Sequence, residues 1–367
     1  MPTAAVDTQA CSVIPMEMDE TSANLSASSS LSDGYSSDSD AHSVNSFQSD
    51  HSQVNACAAQ MSRLSLPASP CSAPLNSKPL PPTSAPMDPI ARYQVDRVLC
   101  DSLFGKVMTA LDILHQRQVA IKLSNTDLVR AGSTVSGGRV IENPMDEAQL
   151  MRRIPPHNNV ISLFDEHVSG NVHWMVMEYA SKGEFFEFVS QQGALPAPTA
   201  RRFLGQVASA LAHIHKHGVC HLDVSMENML VDDALNVKLA DFGVARALPA
   251  DGGLFPAIAG HKPGKLRYMA PEVLQAQAFD GRLADTFALG VILFAMLTGT
   301  SPFEAAHPND KRWRLISSGR VADLLKMIQL DHLVSRTALD LLSRLLAPQQ
   351  QRLQAHEILS HPFMCSA

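Results

Sequence analysis

A basic excess, paired cysteines and apolar runs of membrane length are all missing from this chain, and each absence removes a class of function. Lys and Arg number 29 against 36 Asp and Glu, a formal net charge of −7, so neither a nucleic-acid face nor an anionic membrane surface is indicated. The six cysteines form no CxxC pair and have no His at ligand spacing. That argues against a disulfide framework or a zinc site, and it fits a reducing, intracellular compartment, cytoplasmic or nuclear. The most apolar stretch, Phe287 to Gly299, is about 13 residues, too short to span a bilayer; it is expected as a buried core helix. The first residues are acidic and no basic region precedes an apolar run, so no secretory signal is expected.

Aromatic and β-branched residues are also scarce up to Asp88, where about twenty serines and many prolines stand instead. Such a composition buries too little apolar surface to offset the entropy of ordering, and residues 1–88 are expected to be a disordered acidic tail. Nine acids there face only Arg63 and Lys78, a net of −7, so the remainder of the chain is charge-balanced. Ser36 to Asp40, SSDSD, has either the look of an acidophilic phosphorylation stretch or that of a solvated linker. Leu75 to Pro86 leans towards a polyproline spacer. A tail of this kind is expected to receive regulators.

What the chain does have is concentrated between Cys220 and Gly243, CHLDVSMENMLVDDALNVKLADFG. Met229 to Val231 and Val237 to Ala240 are short apolar runs joined by a polar turn, the pattern of a hairpin. Asp223 and Asn228 fall in the loop entering it. Asp241 falls at its exit, expected to be freed by Gly243 to take an unusual backbone angle. Two carboxylates and a carboxamide around one hairpin suit a hard cation such as Mg²⁺, whose other positions go to phosphate and water. Each of them alone could equally be capping the backbone of a turn.

With Tyr268-Met-Ala-Pro-Glu272 downstream, HLDVSMEN, DFG and YMAPE resemble the catalytic loop, metal-binding motif and activation-segment end of eukaryotic protein kinases of the serine/threonine type. The resemblance covers about Tyr93 to Met364. It implies an α+β, two-lobed fold: a small β-rich lobe at about 93–178 and a larger helical lobe at about 181–364, forming one domain over 93–364. It further implies ATP and Mg²⁺ as cofactors and a protein as substrate, with no nucleic acid and no membrane span.

Tyr93 to Leu123 alternates apolar and polar in three pieces, as three antiparallel strands would. The resemblance places ATP beneath them, against Leu99, Gly105, Val107 and Ala120, with Lys122 of VAIK on the phosphates and Leu230 on the opposite side of the adenine. Ser124 to Glu142 is Gly/Ser-rich and is expected to be a mobile linker. Asn143 is then a plausible N-cap with Pro144 at the first helical position. Glu147, Leu150, Met151 and Ile154 share one face of that helix, so Glu147 is expected to meet Lys122. Val172 to Phe186 resembles the fifth strand and the hinge. Met177 would guard the adenine pocket, the backbone of Glu178 and Ala180 would pair with adenine, and Glu184 would bind ribose or a substrate arginine. By the same resemblance Asn228 and Asp241 are the metal ligands and Asp223 is the base. Asp285 anchors the catalytic loop, Arg352 pairs with Glu272, and Leu163, Met151, Phe242 and His221 stack between the lobes.

Five departures stand out. Two of the three glycines of the phosphate loop are Cys100 and Ser102, leaving Gly105. The arginine before the catalytic aspartate is Leu222, and Phe242 to Arg267 holds no Ser, Thr or Tyr. This removes both partners of an activation-loop phosphate and implies activity without one. The lysine two residues after the catalytic aspartate is Ser225, while the activation-segment threonine is Lys265. Lys265 is therefore expected to reach over Ser225, supply the missing cation and align Asp223. The alternatives are a solvated Lys265 at the substrate groove and, for the whole chain, a pseudokinase scaffold.

Overall fold

The computed structural model describes residues 90–136, 142–258, 260 and 262–365. The tail expected over 1–88 and residues 137–141, near the end of the linker, lie outside them.

The first three alternating runs become β1 (Tyr93–Ser102), β2 (Gly105–Asp112) and β3 (Arg117–Asn125). With β4 (Leu163–Ser169) and β5 (Val172–Glu178) they form an antiparallel sheet in the order β1-β2-β3-β5-β4. The β3–β5 register sets Ala120 opposite Met177 and Lys122 opposite Met175. One face of the sheet buries Tyr93, Met108, Ala110, Val119, Ile121, Trp174 and Val176 as a small core of its own.

The segment after β3 differs from the expected mobile linker. Helix α1 (Thr126–Ala131) begins on Asn125, whose side chain accepts the Asp127 and Leu128 N–H groups, and ends on Gly132 in the left-handed conformation. A cap at each end satisfies the terminal backbone groups that a short helix otherwise leaves open. Helix α2 (Pro144–Arg153) starts as expected, with the Asn143 carboxamide accepting the Met145 N–H and Pro144 in the first turn. Ile154 has left the helix and is its C-cap, but it still packs on the core below.

The larger lobe is helical: α3 (Phe185–Ser190), α4 (Ala197–Lys216), α5 (Pro271–Leu274), α6 (Gly281–Thr298), α7 (Lys311–Ser317), α8 (Val321–Met327), α9 (Arg336–Leu345), α10 (Ala355–Ile358) and α11 (Pro362–Cys365). Phe203, Leu204, Val207, Leu211 and Ile214 form the buried face of α4, because residues three and four apart share one side of a helix. The apolar stretch from Phe287 lies in α6, 18 residues long, which is apolar enough to cross a bilayer but has 89% of that span buried inside the lobe. α6 is thus the central core helix. Ala148, Leu150 and Met151 of α2 join the same core as α4 and α6 rather than the core of the sheet.

Between the lobes run β6 (Val219–Cys220), the hairpin β7 (Met229–Val231) and β8 (Val237–Leu239), and β9 (Arg246–Ala247), which pairs with β6. The hairpin register, Met229 opposite Leu239 and Val231 opposite Val237, fixes where the loops at its two ends point.

Candidate active site

Asp285, in the first turns of α6, holds the loop after β6. Its carboxylate accepts the backbone N–H of His221 at 2.9 Å and of Leu222 at 2.7 Å, and it meets His215 Nε2 at 2.8 Å. Those bonds hold Leu222 in the left-handed region, φ 62°, a conformation a branched side chain adopts only under constraint. The turn that results presents Asp223. Beside it, His221 packs on Phe242 with ring centroids 4.9 Å apart. Met151 and Phe242 are buried in the same core, with Leu163 packed against it; of the four residues expected to stack, His221 and Phe242 are in direct ring contact.

At the other end of the hairpin Asp241 itself takes φ 60°. Gly243 does not: its lack of a side chain serves a close approach, since a Cβ there would lie 2.9 Å from Glu142 Oε2 and 3.3 Å from Asp241 Oδ1. Asp241 thus takes the unusual angle expected of it, while Gly243 contributes space rather than a positive φ of its own. Asp241, one of the few residue types that tolerates this region, adopts it directly.

Lys122 Nζ lies 2.8 Å from Glu147 Oε2, 3.1 Å from Oε1 and 3.3 Å from Asp241 Oδ1. Burial alone would lower the Lys122 ammonium, but Glu147 and Asp241 outweigh it and raise its pKa. Lys122 in turn is the main cause that holds the Asp241 carboxyl below its ordinary range. The carboxylate is therefore ionised. Its Oδ1 faces Lys122 and the Gly243 N–H, and its side chain is half exposed. An ionised, accessible carboxylate oxygen beside a lysine is a donor that suits Mg²⁺ next to a phosphate chain, so the residues present fit the cation.

Asp223 stands in a dense set of contacts. Asn228 Nδ2 donates to Asp223 Oδ2 at 2.7 Å and to its backbone oxygen at 2.9 Å. The Lys265 backbone N–H donates to Asp223 Oδ1 at 2.9 Å. Lys265 Nζ lies 3.1 Å from Asp223 Oδ2, 3.0 Å from Ser225 Oγ and 3.0 Å from Asn228 Oδ1. Lys265 is thus folded over Ser225 rather than extended into solvent. Gly264 makes this approach possible: it has φ +87°, and a Cβ there would lie 2.5 Å from the Leu222 carbonyl oxygen.

The residues expected around the nucleotide fall on the sheet, on the segment after β5 and on β7. Ala120 is buried beneath the sheet, Gly105 needs its bare backbone because a Cβ would meet the Leu123 oxygen at 2.3 Å, and Val107 lies opposite Lys122 on β2. Leu99 is exposed on β1, while Met177, Ala180 and Leu230 pack at the top of the larger core. The Glu178 N–H donates to the Ser162 oxygen, so of its backbone groups the carbonyl is the one left to face a base. Its carboxylate pairs with Lys238 at 2.7 Å. Glu184 pairs with Leu230 through an isolated bridge; burial first, then Glu187 and Glu227, raise its pKa. Arg352 clamps Glu272 at 2.6 Å, with both side chains buried.

Sequence reasoning missed Glu142. Its carboxylate enters the space beside Asp241 and Gly243, and burial, then the Asp241 charge, push its pKa up to about 7. No spacing rule pointed to it, because it lies before the cap of α2, outside every periodic segment.

Comparison with known proteins agrees with this geometry. A protein kinase domain family model matches residues 93–364. The carbon catabolite-derepressing protein kinase of Candida tropicalis is 35% identical over 231 residues, 63% of this chain and 35% of that protein. The protein of the same description from Candida albicans is 34% identical over 283 residues, 77% and 42% of the two chains. CBL-interacting serine/threonine-protein kinase 7 of Arabidopsis thaliana is 36% identical over 220 residues, 59% and 48%. The chain thus spans between a third and a half of the length of these relatives.

Proposed function

This chain belongs to the protein kinase domain family, and we propose that it is an active serine/threonine kinase that transfers the γ-phosphoryl group of MgATP to protein hydroxyls. The observation that carries this reading is the closed Lys122–Glu147 pair at 2.8 Å with Asp241 at the same ammonium. An ion pair assembled in this way is what phosphoryl transfer asks of the fold, since catalysis there is mostly positioning and charge stabilisation.

In this reading Lys122, held by Glu147, orients the α- and β-phosphates. Asp241 offers its carboxylate to Mg²⁺, which when bound neutralises phosphate charge; the carboxamide of Asn228, the other expected ligand, is turned to Asp223 and Lys265. Asp223 orients the acceptor hydroxyl through its carboxylate and takes the proton. Lys265 positions Asp223 by two bonds, from its backbone and from its ammonium, and keeps a positive charge beside the transferring group. The same bonds tie the activation segment to the catalytic loop, which favours activity without activation-loop phosphorylation.

Glu184 and Glu227 support a preference for arginine ahead of the acceptor. Glu184 lies among acids, Glu187 and Glu227; burial first and then their charges raise its pKa, and a substrate guanidinium there would offset that repulsion. Peptides with Arg three residues before the serine should turn over faster than those with Ala, and equal rates would remove the preference.

The pseudokinase alternative rests on Cys100 and Ser102 in the phosphate loop and on Ser225 in place of the catalytic-loop lysine. Asp223→Asn separates the two readings: it should abolish transfer while MgATP still raises the Tm. Transfer near the wild-type rate would show that Asp223 is not the base. A wild-type protein with neither a thermal shift nor turnover would be a scaffold.

A further inference from the structure

The ammonium of Lys265 has three protons, and three acceptors surround it: Asp223 Oδ2, Ser225 Oγ and Asn228 Oδ1, at 3.1, 3.0 and 3.0 Å. A lysine has no more donors than that, so its position is fully determined by the catalytic loop. The third contact is the informative one. Asn228 Nδ2 donates to two oxygens of Asp223, and Lys265 has nothing but donors, so the carboxamide can be oriented only one way. Its single acceptor oxygen faces a fixed cation.

That oxygen is the one the resemblance assigns to a metal. A divalent cation bound there would stand within contact distance of an ammonium, and the two charges would repel across a short, partly screened gap. Asp241 is under no such constraint, because its nearest cation, Lys122, is neutralised by the buried Glu147. The two candidate ligands are therefore not equivalent.

We propose that Lys265 takes the place of a second divalent cation at Asn228, so that this kinase binds its nucleotide with one divalent cation, held by Asp241. The inference rests on the kinase reading above and deepens it. Lysine from the activation segment supplies, as a permanent protein charge, what a second metal ion would supply as a dissociable one. Ser225 is part of the arrangement: its hydroxyl accepts the ammonium where a lysine at that position would repel it.

The test counts metal ions rather than turnover. The full chain is saturated with a non-hydrolysable ATP analogue and titrated with Mn²⁺, free Mn²⁺ is read by electron paramagnetic resonance, and nucleotide occupancy is read separately with a fluorescent analogue. Wild type should bind about one Mn²⁺ per nucleotide through the millimolar range, and Lys265→Met should bind about two, because the Asn228 oxygen is then free for a hard cation. The double variant Ser225→Lys with Lys265→Thr, which returns the cation to the catalytic loop, should also bind about two, and it covers the case in which Lys265→Met does not fold. Two Mn²⁺ per nucleotide in wild type, or one in both variants, would overturn the inference while leaving the kinase reading intact. Absence of nucleotide binding in wild type would overturn both.

Discussion

At the level of single residues, Gly264 decides whether Lys265 reaches its partners. With φ +87° and the Leu222 oxygen 2.5 Å from a would-be Cβ, Gly264→Ala must shift the backbone that carries both Lys265 contacts to Asp223. It should lower kcat at least as much as loss of the ammonium does. Lys265→Ala removes a charge-assisted bond of roughly 1.5–3 kcal/mol, or about 10- to 100-fold in kcat, with KM for ATP little changed. Ser225→Lys with Lys265→Thr should recover much of the loss, and steady-state kinetics on the four proteins of the cycle give the coupling directly. Undiminished turnover in Lys265→Ala would remove the residue from the mechanism. The residues of this centre were readable in the sequence because each departs from a motif at a fixed place: a serine where a lysine is due, and a lysine where a threonine is due. Glu142 had no such frame, since its approach to Gly243 exists only once α2 and the hairpin have met.

The activation segment and α1 show two ways in which an element acquires order. Between Phe242 and Arg267 there is no hydroxyl to phosphorylate, and the segment is instead pinned by β9 on β6 and by Lys265 on Asp223. Enzyme made in bacteria and treated with phosphatase should keep its activity, whereas dependence on a phosphate within this segment would contradict that pinning. The helix α1 is held by its caps. Asn125→Ala removes the acceptor of the Asp127 and Leu128 N–H groups and should cost about 1 kcal/mol, seen as a lower denaturant midpoint. The signals for α1 were present in the sequence, an Asn before it and a Gly after it. The Gly/Ser-rich run that follows outweighed them, because composition averaged over nineteen residues hides a six-residue helix. The first three strands and α4 were legible because their apolar positions alternate or recur three and four apart, and α6 because its run is apolar throughout.

In the molecule as a whole, charge enters the interior only where it is partnered. Asp112, fully buried at the end of β2, accepts two bonds from Arg92 at 2.7 and 2.6 Å, and Arg92 is the main reason its carboxyl lies well below the ordinary range. A carboxyl depressed in the folded state adds stability above its unfolded pKa and loses it as pH falls through the folded value. Asp112→Asn should therefore cost about 2–3 kcal/mol at neutral pH, and thermal melts of the two proteins should converge as the solution is acidified below about pH 4. Less foreseeable from sequence was the allotment of α2 to the core of the larger lobe, leaving the sheet a separate cluster of seven hydrophobic residues; periodicity shows which face of a helix is apolar but not which neighbour receives it. This division has a dynamic consequence. Two cores that do not merge can open independently, so in hydrogen exchange the amides of β1 and β2 should trade with solvent through excursions that leave α4 and α6 protected. The roof over the nucleotide can then breathe to admit and release it while the floor that carries Asp223 stays folded.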